Sequence, residues 1–548
     1  MTNHGEILAE VRAGFEVAES RLVDLLCADL RSERFAVCRD LAWAFLSAGR
    51  SKRALQLARR AFGLWDGESG FIEKYIELLR AERDAEGIRV ASKRAGMLSA
   101  RMNDVMGALR YFNMHHYAYQ STGWGDRYDY DHDILKEVER FAGVRDGQMQ
   151  VGPAVSRQRI RVAYLVFGAN HVTSVLVRIM HDFARHHDRS QFEVLFFSPD
   201  TDNSFVRGSV GSLLSAGGEL VIAASTDDWI CIQRTKAELK KFAPDIVVSV
   251  AALADYRQYY LFAGCPAAVH VSLSYGPPAQ FVPPAADWAI SATRHPHMDN
   301  PCDSSVIQLE TTLPMRPRDK PILPEGVRIP EGAVVIMAAG RSEKFLNQQY
   351  WEALLKTLDS HPDACMIVVG IIQRPEFLDG LLDTAAGRRI QILGWLENYH
   401  AILAHADIVV DTYPSGGGLT ITDSMAFGIP VLSFANDYLA PYNQTDWNPA
   451  EEILGNPELT VLRGDFAEFS RRLDMLISDS ALRKRLGEEC RRHVHETRGK
   501  PQRMVRRVEA EYLRLWGLAC LREKSRSSVP KTGTRWGRLF ESVIRKWS

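Results

Sequence analysis

The chain has 548 residues, room for about three domains at roughly 150 residues each. Hydrophobic residues make up 46%, enough for sizeable cores, and the net charge of -1 supplies no global field that would favour nucleic acid or a membrane. The eight cysteines (Cys27, Cys38, Cys231, Cys265, Cys302, Cys365, Cys490, Cys520) stand singly with no Cys-x-x-Cys pair, which fits buried thiols in a reducing compartment better than a disulfide framework or a zinc site. The opening Met-Thr-Asn-His-Gly-Glu has no basic region followed by an apolar core, so no secretory signal is expected. No apolar run reaches the length of a membrane span. The expected location is the cytoplasm.

Residues 1–152 read as helices only. Apolar residues recur at helical spacing through Phe15, Val17, Leu22, Leu25 and Leu26, and again from Leu41 to Leu57. The segment Leu41 to Phe62 reads as helix, glycine turn, helix, with small residues where the helices cross. It resembles one tetratricopeptide-type unit, and a second helical hairpin is expected over Gly70 to Leu98. A plain helical bundle is the alternative.

From Arg159 the pattern changes to short apolar runs separated by helical segments. Arg161–Phe167, Phe192–Phe197, Asp245–Val250, Ala268–Leu273 and Trp288–Ile290 read as strands of a parallel sheet covered on both faces. Five prolines (Pro314, Pro317, Pro321, Pro324, Pro330) mark an interdomain linker. A second series follows in Ala333–Ala339, Cys365–Ile371, Gln391–Leu393, Asp407–Asp411 and Pro430–Phe434. The expected organisation is a helical repeat domain over 1–152, one Rossmann-like lobe over 153–318, a second over 319–516, and a basic linker with an amphipathic helix over 517–548. In that last segment Trp536, Leu539, Phe540, Val543, Ile544 and Trp547 fall on one helical stripe. Either the helix packs on the second lobe, or it docks on an anionic membrane surface or a partner groove. Two tandem lobes leave a cleft at the carboxyl ends of their strands, where ligands bind.

The most informative stretch is Asp407-Ile-Val-Val-Asp-Thr-Tyr-Pro-Ser-Gly-Gly-Gly-Leu-Thr-Ile-Thr-Asp-Ser-Met-Ala-Phe-Gly-Ile-Pro-Val-Leu432. It reads as strand, glycine-rich turn, helix, turn, strand. Gly416, Gly417 and Gly418 permit close approach by a ligand. The helix that begins near Leu419 or Thr420 aims free N–H groups and its positive dipole end at the turn, where a phosphate is the natural occupant. Asp423 lies about one turn inside, placed to accept hydrogen bonds from a ribose. An ordinary strand–turn–helix without a ligand is the alternative for the glycines alone. The string Asp423-Ser-Met-Ala-Phe-Gly-Ile-Pro-Val431 resembles the acidic residue, small-residue helix and Gly-x-Pro-Val pattern in the C-terminal half of GT-B glycosyltransferases.

Three further segments converge on the same cleft. Gly168-Ala-Asn-His-Val-Thr-Ser174 follows the first strand of the first lobe, and His171 there can face a ligand and serve as a general base. Ala339-Gly-Arg-Ser-Glu-Lys344 follows the first strand of the second lobe, and Arg341 and Lys344 can neutralise a diphosphate leaving group. Leu393-Gly-Trp-Leu-Glu-Asn-Tyr-His400 offers Trp395, Tyr399 or His400 to stack on a base, with core packing as the other reading of Trp395. A capping segment and a solvated charged loop are the plainer readings of the first two.

Two separated segments resemble the O-linked N-acetylglucosamine transferase family, which glycosylates proteins on Ser or Thr. Asn170-His-Val-Thr-Ser174 is similar to that family's Asn-His-Pro-Thr-Ser, and Ala406-Asp-Ile-Val-Val-Asp-Thr412 to its Ala-Asp-Val-x-Leu-Asp-Thr. The spacing from Asp411 to Asp423 agrees, as does the order of helical repeats followed by two α/β lobes. The resemblance implies an α/β fold of GT-B type and an inverting, metal-independent transferase with no cofactor beyond its nucleotide-sugar donor, a UDP-sugar. It implies repeats that help choose a protein acceptor, flagellin or another bacterial protein among them. His171 would lie by the acceptor hydroxyl, Lys344 and Arg341 at the diphosphate, Gly416, Gly417, Gly418 and Thr420 around the phosphates, Tyr399 and His400 at the base, and Asp423 at the ribose. The chain departs from the pattern in three places. The family's His-Thr-Thr at the helix start is Gly418-Leu419-Thr420, the acidic residue four before the motif His is Phe167, and the base-stacking His falls at Tyr399 with His400 adjacent. A lipid or glycan acceptor, and a repeat scaffold with a degenerate transferase domain, are the competing readings. Peripheral attachment at the inner membrane face would accompany a docking C-terminal helix.

Overall fold

The computed structural model describes residues 31–121, 131–144, 157–166, 175–250, 255–274, 284–291, 304–435 and 450–526, apart from positions 83, 203, 397 and 415. The chain divides into two compact units, with residues up to Phe141 forming most of the first and those from Ala142 the second.

The first unit is helical. Its elements are α1 (Arg31–Ser47), α2 (Ser51–Leu64), α3 (Ser69–Ala81), α4 (Ala85–Arg101), α5 (Val105–Ser121) and α6 (His132–Ala142). Gly49 turns the chain between α1 and α2 at a φ of +75°, as the sequence between Leu41 and Phe62 predicts. α1 packs on α2, α3 on α4 and α4 on α5, the contacts expected of successive hairpins. Ala54, Ala58, Ala61 and Ala91 are buried in this core, where small side chains let helices approach closely. The Asp84 carboxylate accepts from the Gly87 N–H and caps α4.

The second unit carries two parallel sheets. In the first, β1 (Ile160–Leu165), α7 (Val175–His186), β2 (Phe192–Ser198), α8 (Ser204–Ser215), β3 (Leu220–Ile222), α9 (Asp228–Phe242), β4 (Ile246–Val250), α10 (Tyr256–Ala263), β5 (Val269–Ser274), β6 (Trp288–Ser291) and β7 (Ser304–Val306) assemble in the order β3-β2-β1-β4-β5-β6-β7. In the second, β8 (Val334–Ala339), α11 (Gln348–Ser360), β9 (Ala364–Val369), α12 (Glu376–Leu382), β10 (Ile390–Leu393), α13 (His400–Leu403), β11 (Ile408–Val410), α14 (Leu419–Ala426), β12 (Val431–Phe434), α15 (Ala450–Leu454) and β13 (Thr460–Val461) give the order β10-β9-β8-β11-β12-β13. Every residue of β4 and of β9 is buried, as strands covered by helices on both faces require. α16 (Phe466–Ser478), α17 (Ser480–Thr497) and α18 (Pro501–Arg526) follow.

This is the GT-B architecture that the sequence predicts. Each sheet reverses its strand order beside its first strand, between β1 and β4 and between β8 and β11. A crevice opens at such a reversal because neighbouring strands send their helices to opposite faces. One element departs from the expected boundaries. The second lobe was expected to run to 516, yet α18 begins at Pro501 and packs on the first sheet. It buries Met504, Val505, Val508, Tyr512 and Trp516 in that core and lies against α7. A buried chain of hydrogen bonds ties it there: Tyr512 donates to the Tyr164 hydroxyl at 3.2 Å, Tyr164 to His187 Nε2 at 2.8 Å, and His187 Nδ1 to Glu509 Oε1 at 2.9 Å. Burial holds the His187 imidazole below its ordinary pKa, against the pull of Glu509, so the neutral ring accepts at one nitrogen and donates from the other. The amphipathic stripe from Trp536 to Trp547 lies outside the described residues.

Candidate functional site

The reversal in the second sheet brings together the loop after β8 and the loop after β11. Asp411 directly follows β11 and is 4% exposed. Its Oδ1 accepts the N–H of Thr412 at 2.8 Å and of Gly417 at 2.7 Å, and its Oδ2 accepts from the Ser433 hydroxyl at 2.6 Å. Its carbonyl accepts from the Tyr350 hydroxyl at 2.8 Å. Burial pushes the Asp411 carboxyl above its ordinary pKa, while the Ser433, Gly417 and Thr412 donors and the Lys344 charge oppose that rise. The carboxylate therefore works inward as the anchor of the glycine turn.

The turn differs from a loop that offers all its N–H groups to a ligand. The Gly417 N–H points back to Asp411, and a Cβ on Gly417 would sit 3.3 Å from Asp411 Oδ1. The outward donors are then those that begin α14, after Gly418 at the N-cap. Thr420, in the first turn of α14, is half-buried. From the opposite side the Lys344 ammonium donates to the Gly416 carbonyl. Arg341 is exposed at the start of the 3-10 turn Ser342–Phe345. A cation, Lys344, thus stands at the turn that leads into a helix N-terminus, a combination that favours an anion.

Glycines let the loops after β8 and β9 pack closely. Gly370 has a φ of +100°, and a side chain there would run into the Gly340 carbonyl. A Cβ on Gly340 would meet the Thr412 methyl at 2.9 Å. Ser342 bridges the two loops, its hydroxyl accepting the N–H of Ile372 at 3.0 Å and of Gln373 at 3.1 Å. The sequence marks the turn but gives no role to Asp411, Gly370 or Ser342. The signal for Asp411 was present, as an acid closing an otherwise apolar strand.

Asp423 is fully buried, at 0% exposed. Its Oδ2 accepts from Tyr399 Oη at 2.5 Å, His400 Nε2 at 2.8 Å and Arg178 Nη1 at 2.8 Å, and its Oδ1 from Arg178 Nη2 at 2.7 Å. Burial alone would push this carboxyl up. The donors His400, Arg178 and Tyr399 reverse that and hold it below its ordinary value. Tyr399 and His400 lie side by side, ring centroids 4.4 Å apart, and His400 lies 5.8 Å from the Phe427 ring. The structure thus joins Tyr399, His400 and Asp423 in one cluster, adds Arg178 from α7, and joins Lys344 to the glycine turn. Trp395 is half exposed, so it is not a core residue. His171 lies outside the described residues.

Residues 333–479, which hold the glycine turn, both cation positions and Asp423, match the family described as "Glycosyl transferases group 1". This segment of the second lobe is thus similar to glycosyltransferases of that group. The chain is similar in fold to a mutant form of the O-GlcNAc transferase of Thermobaculum terrenum. That likeness has a TM-score of 0.58 and 18% identity, and covers 95% of this chain and 100% of the other. The lipopolysaccharide core biosynthesis glycosyltransferase LpsE of Rhizobium meliloti is 26% identical over 170 residues, 31% of this chain and 45% of that protein. The match therefore spans less than half the length of this curated relative. Among the described residues no helix is long and apolar enough to cross a membrane, and no group of three or more His, Cys, Asp or Glu side chains is placed to hold a metal ion.

Proposed function

We propose that this GT-B chain transfers a sugar from a nucleotide-sugar donor, a UDP-sugar, to a Ser or Thr hydroxyl of a protein, by inversion and without a metal ion. The observation that carries the donor half of this reading is the crevice at the β8–β11 reversal. An anchored glycine turn, a helix N-terminus and Lys344, with Arg341 on the loop that carries Lys344, support an anion site there, within the residues that match the glycosyltransferase family. The donor diphosphate sits against Gly418 and Thr420, with Lys344 and Arg341 meeting the charge that grows on the leaving phosphate. Tyr399 and His400 border the nucleoside, and Asp423 stands at the ribose end. Inversion needs one displacement: the acceptor oxygen forms its bond to the anomeric carbon as the bond to the phosphate oxygen breaks. His171 takes the acceptor proton, the diphosphate departs with its electron pair, and cations in place of a metal screen it.

The protein acceptor rests on the helical hairpins of residues 31–142, read as tetratricopeptide-like repeats that present substrate. A glycan acceptor is the second reading, favoured by the relative named for lipopolysaccharide core biosynthesis. The chain works in the cytoplasm, and its C-terminal stripe docks on the inner membrane face or on a partner. A melting-curve screen of nucleoside diphosphates tests the donor site, because ligand at 100-fold its Kd stabilises by about 2.7 kcal/mol. UDP is expected to raise the melting temperature most. No shift with any nucleoside diphosphate refutes the assignment. Transfer from a radiolabelled UDP-sugar to protein, rather than to lipopolysaccharide, then separates the two acceptors.

A further inference from the structure

Asp423, which the donor reading places at the ribose, has no room for a ribose as it stands. A carboxylate offers about four acceptor positions. On Asp423 four N–H or O–H donors from Arg178, Tyr399 and His400 already bond, three to Oδ2 and one to Oδ1, and the residue is sealed from solvent. The four donors are not equivalent. Tyr399 and His400 belong to the same lobe as Asp423, and both donate to Oδ2. Arg178 comes from α7 of the other lobe and occupies one position on each oxygen. Its departure leaves Oδ2 with Tyr399 and His400 and empties Oδ1. Oδ1, with both its acceptor positions, is then open to the neighbouring hydroxyls of a ribose.

We propose that Arg178 and the ribose diol of the nucleotide donor compete for Asp423, so that Arg178 sets donor affinity and ribose discrimination and links donor binding to the position of the lobes. The inference rests on the donor-site reading above. Arg178 is itself held in place. Its Nη2 also donates to the Thr312 carbonyl at 3.0 Å, and one turn along α7 Asp182 accepts the Thr312 N–H at 2.9 Å and its hydroxyl at 2.5 Å. Thr312 lies in the segment that leads from the first lobe to the second, so the connector aims the guanidinium. Arg178 retains 22% of its side-chain exposure, which leaves it a path out of the cluster. Its charge-assisted fork is then a cost that the donor must meet before Asp423 can read the ribose.

The test is calorimetric titration of UDP, ADP and GDP, with the 2′-deoxy form of each that binds, into the full-length wild type and the variants Arg178→Ala, Arg178→Lys and Arg178→Ala/Asp423→Asn. The expected result is that Arg178→Ala binds the ribonucleotide about tenfold tighter, the worth of one hydrogen bond to a charged group. Its preference for ribose over 2′-deoxyribose widens by a similar factor, and Asp423→Asn in that background erases the gain. Arg178→Lys keeps the charge but cannot fork across both oxygens, so it falls between. It gives the same comparison if Arg178→Ala fails to fold. Unchanged or weaker binding in both single variants, with the ribose preference unaltered, overturns the competition while leaving the donor site standing. Absence of binding by all three diphosphates in the wild type overturns the donor site and this inference with it.

Discussion

Asp411 is the residue on which the shape of the donor turn depends, and two substitutions separate its geometry from its charge. Asp411→Ala strips the acceptor from three buried donors, the N–H groups of Thr412 and Gly417 and the hydroxyl of Ser433. Taking about 1 kcal/mol for each buried donor left without its partner gives a loss on the order of 3 kcal/mol. Relief of the buried carboxylate, whose pKa burial has pushed up, offsets part of it. Asp411→Asn keeps one carbonyl oxygen for both N–H groups. The Ser433 hydroxyl can rotate to accept from the new amide, so the loss stays within about 1 kcal/mol. Urea unfolding and UDP titration on the three proteins form the assay. The alanine variant is expected to unfold at clearly lower urea and to bind UDP at least about tenfold more weakly, because the α14 N-terminus loses its register against Lys344. The asparagine variant is expected to stay near wild type in both. An alanine variant with wild-type unfolding and UDP affinity would refute the anchor. An asparagine variant as damaged as the alanine one would move the role from hydrogen bonding to charge.

Lys344→Ala is expected to lower turnover more than it raises the acceptor KM, because the cation acts on charge that develops in the transition state. Unchanged turnover would pass the role to Arg341. His171→Ala is expected to lose most activity while keeping UDP affinity, and a pH–rate profile of the same shape as wild type would argue against a base. His187 and His270 are buried and held below the ordinary histidine pKa by desolvation, so the folded state keeps them neutral while the unfolded chain protonates near pH 6.5. Stability is therefore complete above that value and falls as pH drops below it, and His187→Gln should reduce the slope of unfolding free energy against pH between 5 and 6.5; an unchanged slope excludes His187. Deleting residues 527–548 is expected to preserve the melting temperature and UDP binding but to reduce co-sedimentation with anionic liposomes. A large fall in melting temperature with unchanged sedimentation would place that segment in the fold.

Much of the architecture follows from local chemistry. A strand buried on both faces must be a continuous apolar run, so the central strands of both sheets, such as Ile246–Val250 and Ala364–Val369, are visible in the sequence. The edge strands β3, β7 and β13 hold two or three residues and carry no such pattern. The glycine turn is equally local, since a strand end, three glycines and a helix start are contiguous. What the sequence could not supply is direction. The apolar face of α18 announces burial but not which sheet receives it, and packing sends it across to the first lobe. Asp411 and Asp423 read alike as acids beside a glycine turn. Only the folded chain shows that one faces inward to hold the turn. The other is closed off by Arg178, 245 residues away along the chain, because two residues so far apart acquire a hydrogen bond only when the lobes that carry them meet.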